Sequence, residues 1–167
     1  MSRVARNAVL LPYLNITTRG RSHGVASVGN AGSRVIMMNS DMSEKSLHRG
    51  VSDYIRYQYP GVIFNTDLSG SMRLTIGQAR EFKNLRSSRA FPDLMIYEPR
   101  ANFRGLFIEL KKEGERIYKV KTKEYINDHV REQAEMIQRL VARGYCACFC
   151  IGFDQAKRVI DEYLKLK

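Results

Sequence analysis

Three side chains near the middle of the chain have the types and spacing for metal-assisted acid–base chemistry. They are Asp93, which follows Pro92, and the pair Glu109 and Lys111 in Gly105-Leu106-Phe107-Ile108-Glu109-Leu110-Lys111. Two carboxylates are hard oxygen donors of the kind that hold Mg²⁺ or Mn²⁺. A divalent ion polarises a phosphoryl oxygen and lowers the pKa of a water bound to it. A lysine beside such an ion can orient or deprotonate that water, and can offset charge developing on a phosphate. Charges two residues apart inside an apolar strand are costly to bury. Their placement therefore favours a site over the plainer alternative, a surface hairpin with a Glu–Lys salt bridge.

A hairpin would bring these groups together. Two apolar runs, Phe91–Glu98 and Gly105–Lys111, flank Pro99-Arg100-Ala101-Asn102-Phe103-Arg104, which has the Pro and Asn of a loop before Gly105. Side chains alternate between faces of a strand. Leu106, Ile108 and Leu110 then take the core face, and Phe107, Glu109 and Lys111 the other. Folding about the loop returns Asp93 beside Glu109 and Lys111, to within a residue or two.

The flanking elements follow from periodicity and caps. Ser40 or Ser43 can cap a helix with Asp41 or Glu44 in its first turn. Glu44, Leu47, Val51, Ile55 and Gln58 share a stripe, and Pro60-Gly61 ends the helix. An acid on an inward stripe wants a partner, so Glu44 is either a metal ligand or a dipole residue. Tyr54, Tyr57 and Tyr59 read as packing or edge residues. Val62–Thr66 reads as a strand, with Asp67 more suited to an Asx turn than to an outer ligand position. Ile76–Ser88 reads as a helix with Ile76, Ala79, Phe82, Lys83 and Leu85 on one side. Its Arg80, Lys83, Arg86 and the following Arg89 can contact phosphates or simply be solvated.

Beyond the hairpin, Lys112, Arg116, Lys119, Lys121 and Lys123 form a basic loop in which Tyr118 could stack on a splayed base. Asn127 or Asp128 caps the next helix, whose inward stripe is Val130, Gln133, Ala134, Ile137, Leu140 and Val141, with Gly144 as its C′ residue. Gln133 is the odd polar member, and can hydrogen-bond a site lysine or a phosphate. His129 reads as a cap neighbour. Tyr145–Ile151 reads as a strand, and Asp154 as the cap of a last helix carrying Ala156, Val159, Ile160 and Tyr163.

The net charge of +11 over 167 residues points to a polyanionic partner. The length suits one domain with a real core. Residues 1–41 read as a flexible basic arm, rich in Gly, Ser and Thr, that tracks a nucleic-acid backbone, reaches a second subunit or is merely solvated. The ordered domain is expected over residues 42–167. Cys146, Cys148 and Cys150 alternate on one strand, about 6.5–7 Å apart, too far for a disulfide within it. They read as reduced core residues of a cytoplasmic protein. No apolar run has membrane-spanning length, and Ala8–Leu11 is too short for a signal-peptide core. No small-molecule cofactor is expected.

Pro92-Asp93 followed by Glu109-x-Lys111 resembles the PD-(D/E)XK nuclease superfamily. Adding Ile76-Gly77-Gln78-Ala79, Gly105–Lys111, Gln133 and Arg143-Gly144-Tyr145 narrows the resemblance to the VRR-NUC (virus-type replication–repair nuclease) group, over roughly Ser43 to the C-terminus. The resemblance implies an α/β, restriction-endonuclease-like αβββαβ core, a central four-stranded mixed sheet flanked by helices. It implies a stand-alone phage-type, Mg²⁺- or Mn²⁺-dependent endonuclease, a homodimer acting on branched DNA such as four-way junctions. Glu44, Asp93, Glu109 and the Leu110 carbonyl match metal ligands, Lys111 the catalytic lysine and Gln133 the helix glutamine. Ala90-Phe91 stands where a Gly often precedes the Pro-Asp. Two other readings are a non-catalytic DNA-binding subunit that keeps the nuclease fold and a sequence-specific restriction-type nuclease.

Overall fold

The computed structural model describes residues 43–67, 75–85, 88 and 90–167. The arm at 1–41, Ser40, Asp41, Arg86 and Arg89 lie outside them. Helix α1 (Glu44–Gln58) opens on Ser43, whose hydroxyl accepts from the Ser46 N–H. Strand β1 (Phe64–Thr66), helix α2 (Ile76–Asn84), strands β2 (Leu94–Ile96) and β3 (Leu106–Lys111), helix α3 (Asp128–Val141), strand β4 (Cys146–Ile151) and helix α4 (Gly152–Lys165) follow. The four strands form one mixed sheet in chain order. β1–β2 and β2–β3 are antiparallel; β3–β4 is parallel, joined through α3.

The sheet is covered on both faces. Leu94, Ile96, Leu106, Ile108, Leu110, Cys146 and Cys150 pack with Leu47, Val51 and Ile55 of α1 and Ala156, Val159, Ile160 and Tyr163 of α4. Met95, Phe107 and Ala147 pack with Met136 and Leu140 of α3 on the other face. β3 is thus buried on both sides, as the middle of an α/β sheet requires, and the face carrying Phe107 and Glu109 is a second core, not a surface. All three cysteines are free, on the face covered by α1 and α4.

Polar clamps fix the helices over the sheet. Asp161 accepts from the hydroxyls of Tyr54 and Tyr59 and from Lys157, tying α4 to α1. Tyr57 stands in solvent. Ser52 hydrogen-bonds Thr66 Oγ1 at 3.1 Å, pinning α1 to the end of β1.

Several expectations change. β1 and β2 are three residues each, because the chain bends into the site on one side and into turns on the other. α2 ends at Asn84, short of the expected Ser88; Ile76 and Leu85 are exposed, and the helix opens on a capping box between Thr75 and Gln78. Asp154 does not cap α4. The N-cap is Ile151, and Asp154 lies in the first turn, where its charge suits the dipole. Loop 112–127 folds back on itself through a Tyr118–Tyr125 bridge, and these two rings stack at 5.1 Å.

Gly105 lies close against neighbouring backbone: a Cβ there would stand 2.8 Å from the Ile96 carbonyl oxygen. Gly105→Ala is expected to cost about 1–3 kcal/mol, as overpacking against rigid backbone does, read from the midpoint of urea unfolding.

Candidate active site

Asp93, Glu109, Lys111 and Gln133 meet at one end of the sheet. The pairs Thr66↔Leu94 and Leu94↔Ile108 carry the register outward, so Asp67, Asp93 and Glu109 face one another across three adjacent chain segments. Pro92, fully buried, sets the chain into β2 just before Asp93. Phe91 packs edge-on against Phe107 at 5.9 Å, which gives the bulky residue before the Pro-Asp a packing job. The Asp67 N–H donates to the Asp93 carbonyl at 2.7 Å.

Asp93 accepts the Leu110 N–H on Oδ2 at 2.9 Å. A strand residue's N–H and C=O point to the same edge. The Leu110 carbonyl therefore faces the Asp93 side, beyond the end of β2, where no ladder bond claims it. Lys111 Nζ donates to Glu109 Oε1 at 3.0 Å and to Gln133 Oε1 at 2.9 Å. Gln133, 5% exposed, donates its amide N–H groups to Glu109 Oε1 and His129 Nε2. One glutamine from α3 thus holds both the acid and the base of β3, and His129, one turn earlier, fixes which way its amide points.

Glu109 is 3% exposed, and its Oε2 has no hydrogen-bond partner. Burial, then the Asp93 charge, push its carboxyl up to about 8, against the pull of Lys111. Burial also raises Asp93 to about 6, with the Leu110 N–H and Lys111 opposing and Glu44 and Asp67 adding to it. Crowded, partly desolvated carboxylates of this kind are relieved by a cation. Among the described residues no three His, Cys, Asp or Glu side chains already converge as a formed cage. The donor chemistry nevertheless fits a divalent ion: an orphaned buried carboxylate oxygen on Glu109, the Asp93 carboxylate beside it, and a backbone carbonyl turned to the same side.

Glu44 is exposed in the first turn of α1. It contacts neither Asp93 nor Glu109 directly, yet its charge raises both of their pKa values. Arg80 is exposed on α2, and the Lys83 backbone lies in the same helix. Lys112, Arg116 and Lys119 are exposed on the loop leaving β3; Lys112 pairs with Glu115 at 3.7 Å and Lys119 with Glu124 at 3.3 Å. Sequence reasoning gave Asp67 a turn role and did not single out His48. His48 Nε2 lies 3.9 Å from Asp93 Oδ2. The available signal was its i+4 spacing from Glu44, a second stripe beside the apolar one.

No protein-family model matches the sequence, and no curated protein does either. A solved structure described as a VRR_NUC domain protein has the same fold, with a TM-score of 0.54 and 25% sequence identity; the match covers 75% of this chain and 91% of that one. The chain therefore has a VRR-NUC-like nuclease fold. No helix among the described residues is long and apolar enough to cross a membrane.

Because both carboxyl pKa values are raised by folding, the stability they contribute is present at low pH. It is lost as pH rises through about 6 at Asp93 and about 8 at Glu109. A cation bound by the ionised carboxylates reverses that loss. Adding Mn²⁺ is expected to raise the melting temperature more at about pH 8 than at about pH 5. Equal shifts at both pH values in differential scanning fluorimetry would count against these carboxylates as the ligands.

Proposed function

We propose that this protein is a Mg²⁺- or Mn²⁺-dependent deoxyribonuclease that hydrolyses phosphodiester bonds in branched DNA such as four-way junctions. The observation that carries the reading is the joined set Asp93, Glu109, Lys111 and Gln133 at one sheet end, in a VRR-NUC-like fold. A basic surface accompanies it: the chain carries +11, with Arg80, Lys112, Arg116 and Lys119 exposed. A subunit that only bound DNA would gain nothing from carboxylates facing the phosphates.

Asp93, Glu109 and the Leu110 carbonyl hold the ion, with Glu44 as the acid that reaches in from α1. When bound, the ion supplies Lewis-acid activation of the phosphoryl group and of the attacking water. Lys111 has three N–H donors. Two go to Glu109 and Gln133; the third serves the attacking water or a non-bridging phosphate oxygen. Gln133 keeps the ammonium in that place through its amide. Phosphate contacts from Arg80, Lys83, Arg86, Arg89, Lys112, Arg116 and Lys119 position the DNA and do not read its sequence.

The branched substrate and a homodimer come from the family resemblance and from symmetry. Resolving a four-way junction takes two nicks on strands of like polarity, and a twofold dimer presents two sites in that relation. In this reading residues 1–41 are an arm appended to a domain at 42–167, and they add backbone contacts.

Asp93→Asn and Glu109→Gln are expected to lower cleavage in Mg²⁺ by on the order of a thousandfold while DNA binding, which rests on Lys and Arg, persists. Near-normal cleavage by either variant sinks the proposal. Lys111→Ala should lower the rate about 10²–10⁴-fold with Mn²⁺ binding kept; loss of Mn²⁺ binding in calorimetry would make the lysine's role structural.

On junctions, forks and plain duplex, the protein should bind junctions most tightly and cut them at paired positions. Affinity should fall steeply with salt as phosphate contacts release counterions. Equal cleavage of junction and duplex, or a monomer by light scattering with and without junction DNA, removes the junction-resolving reading.

A further inference from the structure

His48 is 1% exposed, and neither ring nitrogen has a hydrogen-bond partner. Buried polar groups are rarely left so, and one that is points to a partner outside the protein chain. The surroundings say which kind. His48 follows Glu44 by one helical turn, and its Nε2 stands 3.9 Å from Asp93 Oδ2. The Ser52–Thr66 hydrogen bond, one turn further along α1, locks the helix against the end of β1 and fixes the ring there. Asp67 closes the same corner through its N–H to the Asp93 carbonyl.

A nitrogen and an oxygen 3.9 Å apart are too far for a direct hydrogen bond. They suit two ligands of one ion. Donors about 2.1 Å from a common centre lie about 3 to 4.2 Å from each other, depending on the angle. A neutral imidazole offers one nitrogen lone pair to an ion.

We propose that His48 is a direct nitrogen ligand of the divalent ion held by Asp93. This deepens the metal-nuclease reading and rests on it. The consequence is a metal preference. Imidazole favours transition-metal ions over Mg²⁺, which keeps to oxygen donors. The site takes Mn²⁺ or a later transition-metal ion in preference to Mg²⁺, and His48 is the reason.

Pulsed electron paramagnetic resonance on the full-length protein loaded with Mn²⁺ tests this, alongside calorimetry with Mn²⁺ and with Mg²⁺. The wild type is expected to show ¹⁴N modulation from a coordinated imidazole. His48→Gln should lose it and weaken Mn²⁺ binding about tenfold or more, with Mg²⁺ affinity nearly unchanged. His129→Gln should keep the signal. If His48→Gln does not fold, selective ¹⁵N-histidine labelling of a His23→Gln, His129→Gln double variant, in which His48 is the remaining histidine, gives the same reading. Mn²⁺ bound by the wild type without imidazole coupling, or coupling that survives His48→Gln, overturns the histidine ligand and leaves the nuclease reading standing. A wild type that binds no Mn²⁺ overturns both.

Discussion

The structure depends on keeping Glu109 ionisable inside a strand that is buried on both faces. A carboxylate there is expensive without partners. The fold meets the cost with Lys111 two residues along the same strand and Gln133 from the helix above. Those two partners use one oxygen and leave the other bare. The arrangement folds with one carboxylate oxygen unsatisfied, the donor on which the proposed ion would draw. Asp93 has the same character: the Leu110 N–H and the Lys111 charge favour its ionised form, while burial and then Glu44 and Asp67 work against it.

That constraint explains the surrounding architecture. Both sheet faces must be covered for the site to be dry at its base, so α1 and α4 pack on one side and α3 on the other. The open part is the strand end, where the sheet stops and the carboxylates emerge. Short antiparallel strands suffice at β1 and β2, because their main task is to bring Asp67 and Asp93 to that end.

The sequence was readable where one period dominated. Alternation in Gly105–Lys111 put Glu109 and Lys111 on one face, and the hairpin returned Asp93 beside them, as the register bears out. Gln133 stood out as the polar member of an apolar helical stripe. Elements whose two sides are both buried were harder. Phe107 and Glu109 were placed only on the face opposite Leu106, Ile108 and Leu110, because alternation does not say that a second core covers that face. His48 was missed for a related reason. The apolar stripe of α1 was traced through Leu47, Val51 and Ile55, while His48 and Ser52 run beside it and are also buried. α2 was read as a helix from its spacing, and it is one, yet Ile76 and Leu85 stand exposed. Helix propensity and a capping box make a helix without saying what it packs on.

The parallel pairing of β3 with β4 sets an order of assembly. β2 and β3 are joined by the connection 97–105, whereas β4 pairs with β3 across the whole of loop 112–127 and α3. Non-local pairing of that kind is slow, because chain entropy is spent before contacts return it. Gln133 rides on the late-arriving helix. Of the four side chains joined at the sheet end, Gln133 alone is placed through this non-local pairing; Asp93, Glu109 and Lys111 come with the β2–β3 hairpin.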